Sequence, residues 1–220
     1  MLKFFLNLHS LLTPLCIFPI AYYLWFHTYH DHRLTWITMS FPIIYAYFVP
    51  LMGIKVLKLW EFRSKYSHKG FRPQSGFIYG SFASLFMWVA RLEPSLNFNY
   101  WDFFRQAFIL GSLIGFWNWL FEIAAIKKGI ILFYGKSFLK KLEPATVALE
   151  YAPIGFGLNG FCLGILIYLN YFIQESLFSL HFFWIYPLEL LLYLSIPIAG
   201  YSLIQYWIHQ DYGFKSHKPT

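Results

Sequence analysis

Six long apolar runs constrain the fold of this chain more than any other feature of its sequence. They cover residues 4–26, 34–57, 77–89, 103–125, 147–173 and 182–208. A helix needs about 20 apolar residues to cross the hydrocarbon layer of a membrane. The third run is short and the last is long, and none shows the strict alternation of barrel strands. The sequence therefore predicts an all-α, polytopic integral membrane protein with about six transmembrane helices.

The composition agrees with that architecture. Apolar and aromatic residues make up 58% of the chain and charged residues only 12%, about half the charged fraction of a soluble domain. Phe, Tyr and Trp together reach 24%, so we expect lipid to solvate much of this aromatic surface. No Gly/Ser-rich or Pro-rich linker divides the sequence, and we expect a single transmembrane helical domain over residues 1–220.

The basic residues predict the orientation of the helices, because cytoplasmic loops collect Lys and Arg. With the N-terminus inside, the outer connections hold only Arg33, Arg91 and Arg105. The inner connections hold fourteen basic residues: Lys3, Lys55, Lys58, Arg63, Lys65, Lys69, Arg72, Lys127, Lys128, Lys136, Lys140, Lys141, Lys215 and Lys218. We therefore expect both termini in the cytoplasm and the first run as an uncleaved helix.

The net charge of +7 then has an ordinary explanation, because basic loops set orientation and meet anionic lipid headgroups. Membrane lipids are the expected partners, and nucleic acid is not. The basic segment at residues 61–72 has two interpretations, an orientation signal or a site for a phosphate or anionic headgroup. The first is favoured.

Carboxyl groups inside apolar spans are the strongest candidates for a functional site, because an ionisable group in hydrocarbon is costly. Glu122 lies roughly 7 Å from the inner boundary by helical rise. Asn118 is four residues earlier, on the same helix face, and Glu150 enters the fifth span at a similar depth. We predict a polar pocket of these three residues in which a carboxyl group acts as a catalytic acid or base. The alternative is that each glutamate pairs with a lysine or caps a helix.

A second group of polar residues lies at the outer face. His27, His30 and His32 form the first outer loop, and His181 opens the sixth span at the same face. Imidazoles can bind zinc or a similar divalent ion, so these four are candidate metal ligands. Interfacial histidines without a metal are the alternative. No motif for any other cofactor is present, and we expect none.

Three functions remain open at this stage. The first is a small membrane enzyme that acts on an apolar lipid or isoprenoid, since aromatic faces stabilise cationic intermediates. The second is a transporter or permease, in which the same carboxyl groups relay protons. The third is a structural subunit of a membrane complex. A homo-oligomer is compatible with each, and a bacterial inner membrane is favoured over an organelle membrane.

Overall fold

The computed structural model describes residues 2–92, 98–170 and 184–218, which are mostly helical. The helices are α1 (Leu2–Leu12), α2 (Phe18–Tyr29), α3 (His32–Pro50), α4 (Ser75–Val89), α5 (Tyr100–Lys127), α6 (Lys136–Leu139), α7 (Pro144–Leu149), α8 (Ala152–Asn170) and α9 (Tyr186–His209). The strands are β1 (Trp60–Phe62) and β2 (Ile131–Phe133).

Among the described residues, five helical segments are long and apolar enough to cross a membrane. They are Leu8–Tyr29, His32–Val56, Tyr100–Lys127, Pro144–Asn170 and Tyr186–His209. The third predicted run forms α4, which is apolar but shorter. All six runs therefore contain an apolar helix, although residues 171–173 and 182–183, at the ends of the last two runs, lie outside the described residues. This architecture is that of a membrane-embedded, multi-pass protein.

Prolines shape two of these segments. A π-helical turn, Thr13–Ile17, joins α1 to α2 and contains Pro14. A second π-helical segment, Leu51–Val56, continues α3 and follows Pro50. Proline has no N–H to donate to the preceding turn, and the helix widens locally into a π-helical turn.

Small residues allow α5 and α8 to pack in backbone contact. A Cβ atom at Gly111 would lie 2.9 Å from the carbonyl oxygen of Gly157, and one at Gly115 would lie 3.0 Å from the Cα of Gly157. A Cβ at Gly160 would meet the carbonyl oxygen of Leu110. Helices approach this closely only where side chains are absent.

A two-stranded antiparallel sheet covers the end of the bundle that carries most of the basic loops. Trp60 pairs with Phe133, and Phe62 pairs with Ile131. Residues 131–133 form a strand because the open backbone of the segment after α3 supplies their hydrogen-bond partners.

The C-terminal segment continues this layer. The backbone N–H of His217 donates to the carbonyl of Tyr134 at 2.8 Å, and the hydroxyl of Ser216 donates to the carbonyl of Lys58 at 2.6 Å. Lys218 donates to Glu61 at 2.5 Å. The tail is thus held against both strands.

Candidate functional site

A cavity of about 260 Å³ lies between the helices just beneath the two-stranded sheet. Its walls come from α3, α4, α5, α8 and α9 and from both strands. Aromatic rings dominate the surface, among them Tyr45, Phe82, Trp117, Phe121 and Phe156. Pocket sites for small ligands are typically apolar with a few convergent polar groups. The polar groups here gather at the end nearest the sheet.

Glu122 is the carboxyl group of this cavity. It lies on α5, is only 8% exposed, and lines the cavity wall. The hydroxyl of Tyr151 donates a hydrogen bond of 2.6 Å to its Oε2 atom. Tyr151 precedes α8, so the bond joins the two helices that the glycines bring together. The carboxyl group is therefore positioned both by its own helix, α5, and by the tyrosine just before α8.

Arg72 is the cationic group of the same cavity. It precedes α4 and is 4% exposed, which is rare for an arginine. Its guanidinium lies 4.4 Å from the centroid of the Phe62 ring, and among the described residues its Nε atom has no hydrogen-bond partner. Burial lowers the pKa of Arg72 to about 10, against the opposing attraction of Glu122. The side chain is therefore still protonated at neutral pH.

His9 also faces this polar end. Its ring stacks on Phe82 with centroids 4.9 Å apart and tilts against Phe121 at 5.7 Å. The imidazole interacts electrostatically with Arg72. Within the described part of the chain, its Nδ1 atom has no hydrogen-bond partner. Packing therefore holds the ring, and its Nδ1 atom has no hydrogen-bond partner among the described residues.

Asn118, four residues before Glu122 on α5, lines the same cavity. Its Nδ2 atom donates to the carbonyl oxygen of Ile114 at 2.8 Å. This bond within the helix orients the amide at the cavity wall. Of the three predicted catalytic residues, the structure brings Asn118 and Glu122 together.

Glu150 has different surroundings. It is buried outside the cavity lining, where Ser137 donates to its Oε2 atom and His209 Nε2 lies 3.0 Å from the same oxygen. Gln205 donates to its backbone carbonyl at 3.0 Å. The two glutamates do not face each other, because α7 ends just before Glu150 and directs it towards α9. Its neighbours make it a link between α6 and the end of α9.

The rings of His27 and His30 lie 6.3 Å apart, centroid to centroid, and the outer histidines also contact aromatic side chains. His27 packs on Tyr23 at 4.2 Å, and His30 takes a left-handed conformation that ends α2. His32 accepts or donates a 2.6 Å hydrogen bond with Tyr22. Within residues 2–92, 98–170 and 184–218, no three or more His, Cys, Asp or Glu residues are grouped for a metal ion. His181, the fourth candidate, lies outside the described residues.

His9 and Tyr151 belong to this site but were not predicted as site residues. Arg72 was predicted only as part of the basic segment 61–72, with an orientation signal favoured over an anion site, and nothing in the local sequence marks it as buried. Tyr151 and Glu122 are 29 residues apart, and only the packing of α5 on α8 brings them together. His9 offered the one available signal, an imidazole within an apolar run.

The fold defines a class of helical proteins whose apolar helices are long enough to cross a membrane, here with an aromatic cavity between them. Comparison of the chain with protein-family models, with curated proteins and with solved structures gave no match in any of the three. The function proposed next rests on the geometry of the cavity.

Proposed function

We propose that this protein is a small membrane enzyme that acts on an apolar lipid or isoprenoid bound in the aromatic cavity, with Glu122 as its acid or base. The single observation that carries this proposal is the placement of Glu122. A carboxyl group held by Tyr151 opens onto a cavity lined mostly by aromatic and apolar side chains. An ionisable group in such a place is costly and is expected to serve a function.

The cavity suits a reaction that passes through a positively charged intermediate. A carboxyl group can give a proton to a carbon–carbon double bond and later accept one from a neighbouring carbon, so the proton is recovered and no other reactant is required. Ring faces such as those of Trp117 and Phe82 attract cations. Asn118 orients the substrate from the adjacent turn of α5. In this proposal Glu150 has a structural role.

The test replaces Glu122 with Gln, which keeps the shape and removes the exchangeable acid proton. We expect a normal folded yield and a loss of the lipid product of roughly a hundredfold or more, the usual contribution of a general acid or base. The measurement is lipid composition, by mass spectrometry, of membranes from cells with and without each variant. Glu189→Gln is the matched control, since Glu189 is on α9 and does not line the cavity.

The outcomes separate the three functions. Altered lipid composition that depends on Glu122 supports the enzyme. Loss of folded protein in Glu122→Gln supports the structural subunit, and lost proton-coupled uptake with unchanged lipid supports a transporter. Either of these last two results overturns the enzyme proposal.

We further propose that the chain crosses the membrane six times with both termini in the cytoplasm, and that membrane lipids are its partners. The joining of the basic loops and the C-terminal tail in one layer supports this orientation. The bacterial inner membrane remains the favoured location, and self-association is compatible with the apolar outer surface.

A further inference from the structure

The polar end of the cavity holds three buried polar atoms to which no other described residue forms a hydrogen bond. Among the described residues, the Nε of Arg72, the Nδ1 of His9 and the Oγ of Ser75 are all buried without a hydrogen-bond partner. All three residues line the cavity. Leaving a buried donor unpaired is unfavourable, and more so for a charged one. A ligand that accepts hydrogen bonds would satisfy the three at once.

The start of α4 adds to the positive character of this place. Ser75 is the first residue of this helix, which has 15 residues, and its N-cap residue Gln74 makes no side-chain capping bond. The first turn holds no acidic residue. Backbone N–H groups at a helix start favour an anion. The guanidinium of Arg72, 4% exposed, lies three residues before this helix start and is the independent feature that points to a ligand.

The cavity extends away from this end along the apolar part of the bundle. Residues of α4 from Ser75 to Phe86 line it, a distance of about 16 Å by helical rise. On α5 the lining residues extend from Glu122 to Ile114, about 12 Å by the same measure. The site therefore has a cationic end and a long aromatic end.

We propose that the cavity binds a lipid with a single apolar chain and an anionic headgroup, a phosphate or a carboxylate, and that Arg72, His9 and Ser75 hold the headgroup. This inference rests on the proposed function, since it names the class of lipid that the enzyme takes. Arginine matches these oxygens because its planar group donates two parallel hydrogen bonds. The chain then lies past Glu122, among the aromatic rings.

Binding of matched probes tests the proposal. Dodecyl phosphate, dodecanoate and dodecanol have the same kind of single alkyl chain and differ in the headgroup. Each is titrated into the full chain in nanodiscs of zwitterionic lipid, with tryptophan fluorescence as the readout, since Trp117 and Trp60 line the cavity. We expect the better anion to bind roughly tenfold to a hundredfold tighter than dodecanol. Tighter binding of dodecyl phosphate identifies a phosphate head, and tighter binding of dodecanoate identifies a fatty acid.

Variants locate the headgroup. Arg72→Gln should remove the preference for the anion, whereas Arg63→Gln should keep it. Arg63 is the matched control because it is an exposed arginine of the same loop, paired with Glu61 at 2.8 Å. Equal binding of all three probes to the unchanged protein overturns the proposal, and so does equal loss of preference in both variants.

Two further variants apply if Arg72→Gln does not fold. Ser75→Ala and His9→Phe each remove one donor, and phenylalanine keeps the stacking on Phe82. Each should lower the preference for the anion several-fold, and an unchanged preference in both overturns the proposal. Glu122→Gln separates this inference from the proposed function. If that variant keeps its anion binding and gives the same lipid composition as the unchanged protein, the result supports the headgroup site and contradicts the acid–base role of Glu122.

Discussion

At the scale of single residues, the hydrogen bond from Tyr151 to Glu122 is the contact on which the proposed chemistry depends. A buried carboxyl group without a donor would be free to turn among its rotamers. The tyrosine hydroxyl, 2.6 Å from Oε2, holds it in one of them. Catalysis by a positioned acid is sensitive to small displacements.

Tyr151→Phe should therefore weaken catalysis more than stability. The substitution removes one hydroxyl and leaves the ring, which stacks on Phe133 with centroids 5.0 Å apart. We expect a loss of about 1–3 kcal/mol in the free energy of unfolding and a reduced yield of the lipid product. Thermal unfolding and lipid analysis measure the two effects. Stability lost with full product formation would contradict the positioning role.

Glu61 is a second residue with a testable charge state, and it lies in the sheet outside the spans. Burial alone would raise its pKa, but hydrogen bonds from Lys218, Tyr134 and Arg63 hold the pKa at about 2, below the ordinary 4.5. Because the folded-state pKa is depressed, its stabilising contribution is complete above about pH 4.5 and is lost as the pH falls towards about 2.

We predict that acid releases the C-terminal tail through this residue. The unfolding midpoint, or tail mobility followed by a spin label at Thr220, should change between pH 4.5 and pH 2. In Glu61→Gln the tail should already be loosened at pH 7, and its residual acid response should be smaller. An identical pH profile for both proteins would contradict the assignment.

At the scale of elements, the contact between α5 and α8 sets the geometry of the bundle. The backbones meet at Gly111, Gly115 and Gly160, with no side chain between them. Membrane helices associate through such packing and not through a hydrophobic driving force. We therefore expect that one added methyl group at this interface lowers the stability of the protein.

Gly160→Ala should separate the helices, because the new Cβ would meet the carbonyl oxygen of Leu110 at 2.5 Å and the Cβ of Ile114 at 3.0 Å. We expect a loss of about 1–3 kcal/mol in stability, as for other overpacked sites. Gly155→Ala is the control, because a Cβ there meets nothing within 4 Å. Thermal unfolding in detergent compares them, and equal midpoints would contradict the close packing.

Much of this element structure could be predicted because it is local. A run of apolar residues specifies a helix wherever lipid leaves the backbone no other partner, and glycines four apart show where helices meet. The pairing of Trp60 with Phe133 could not be predicted, since it joins segments far apart in sequence. The burial of Arg72 could not be predicted for the same reason. The sequence of a basic loop does not show whether one of its residues faces water or a cavity.

At the scale of the whole molecule, charge and apolar surface are separated. The basic loops, the sheet and the C-terminal tail form one end, and large apolar side chains such as Leu191, Leu203 and Phe108 are exposed along the helices. Water does not favour so large an apolar exterior. This distribution is the one expected of helices surrounded by lipid with water at each end.

Labelling tests the proposed orientation. In a background with Cys16→Ser and Cys162→Ala, single cysteines replace Lys65 and Arg105, which are both exposed. A membrane-impermeant maleimide added to intact cells should label Arg105→Cys and leave Lys65→Cys unlabelled until the membrane is opened. The reverse pattern would invert the orientation, and equal labelling would contradict the span count.

The backbone contact between α5 and α8 has a consequence for the rigidity of the site. Two helices packed together along several turns move as one body, and Glu122 on α5 is bonded to Tyr151, which directly precedes α8. The acid and its tyrosine partner therefore keep their relative position when other parts of the bundle move.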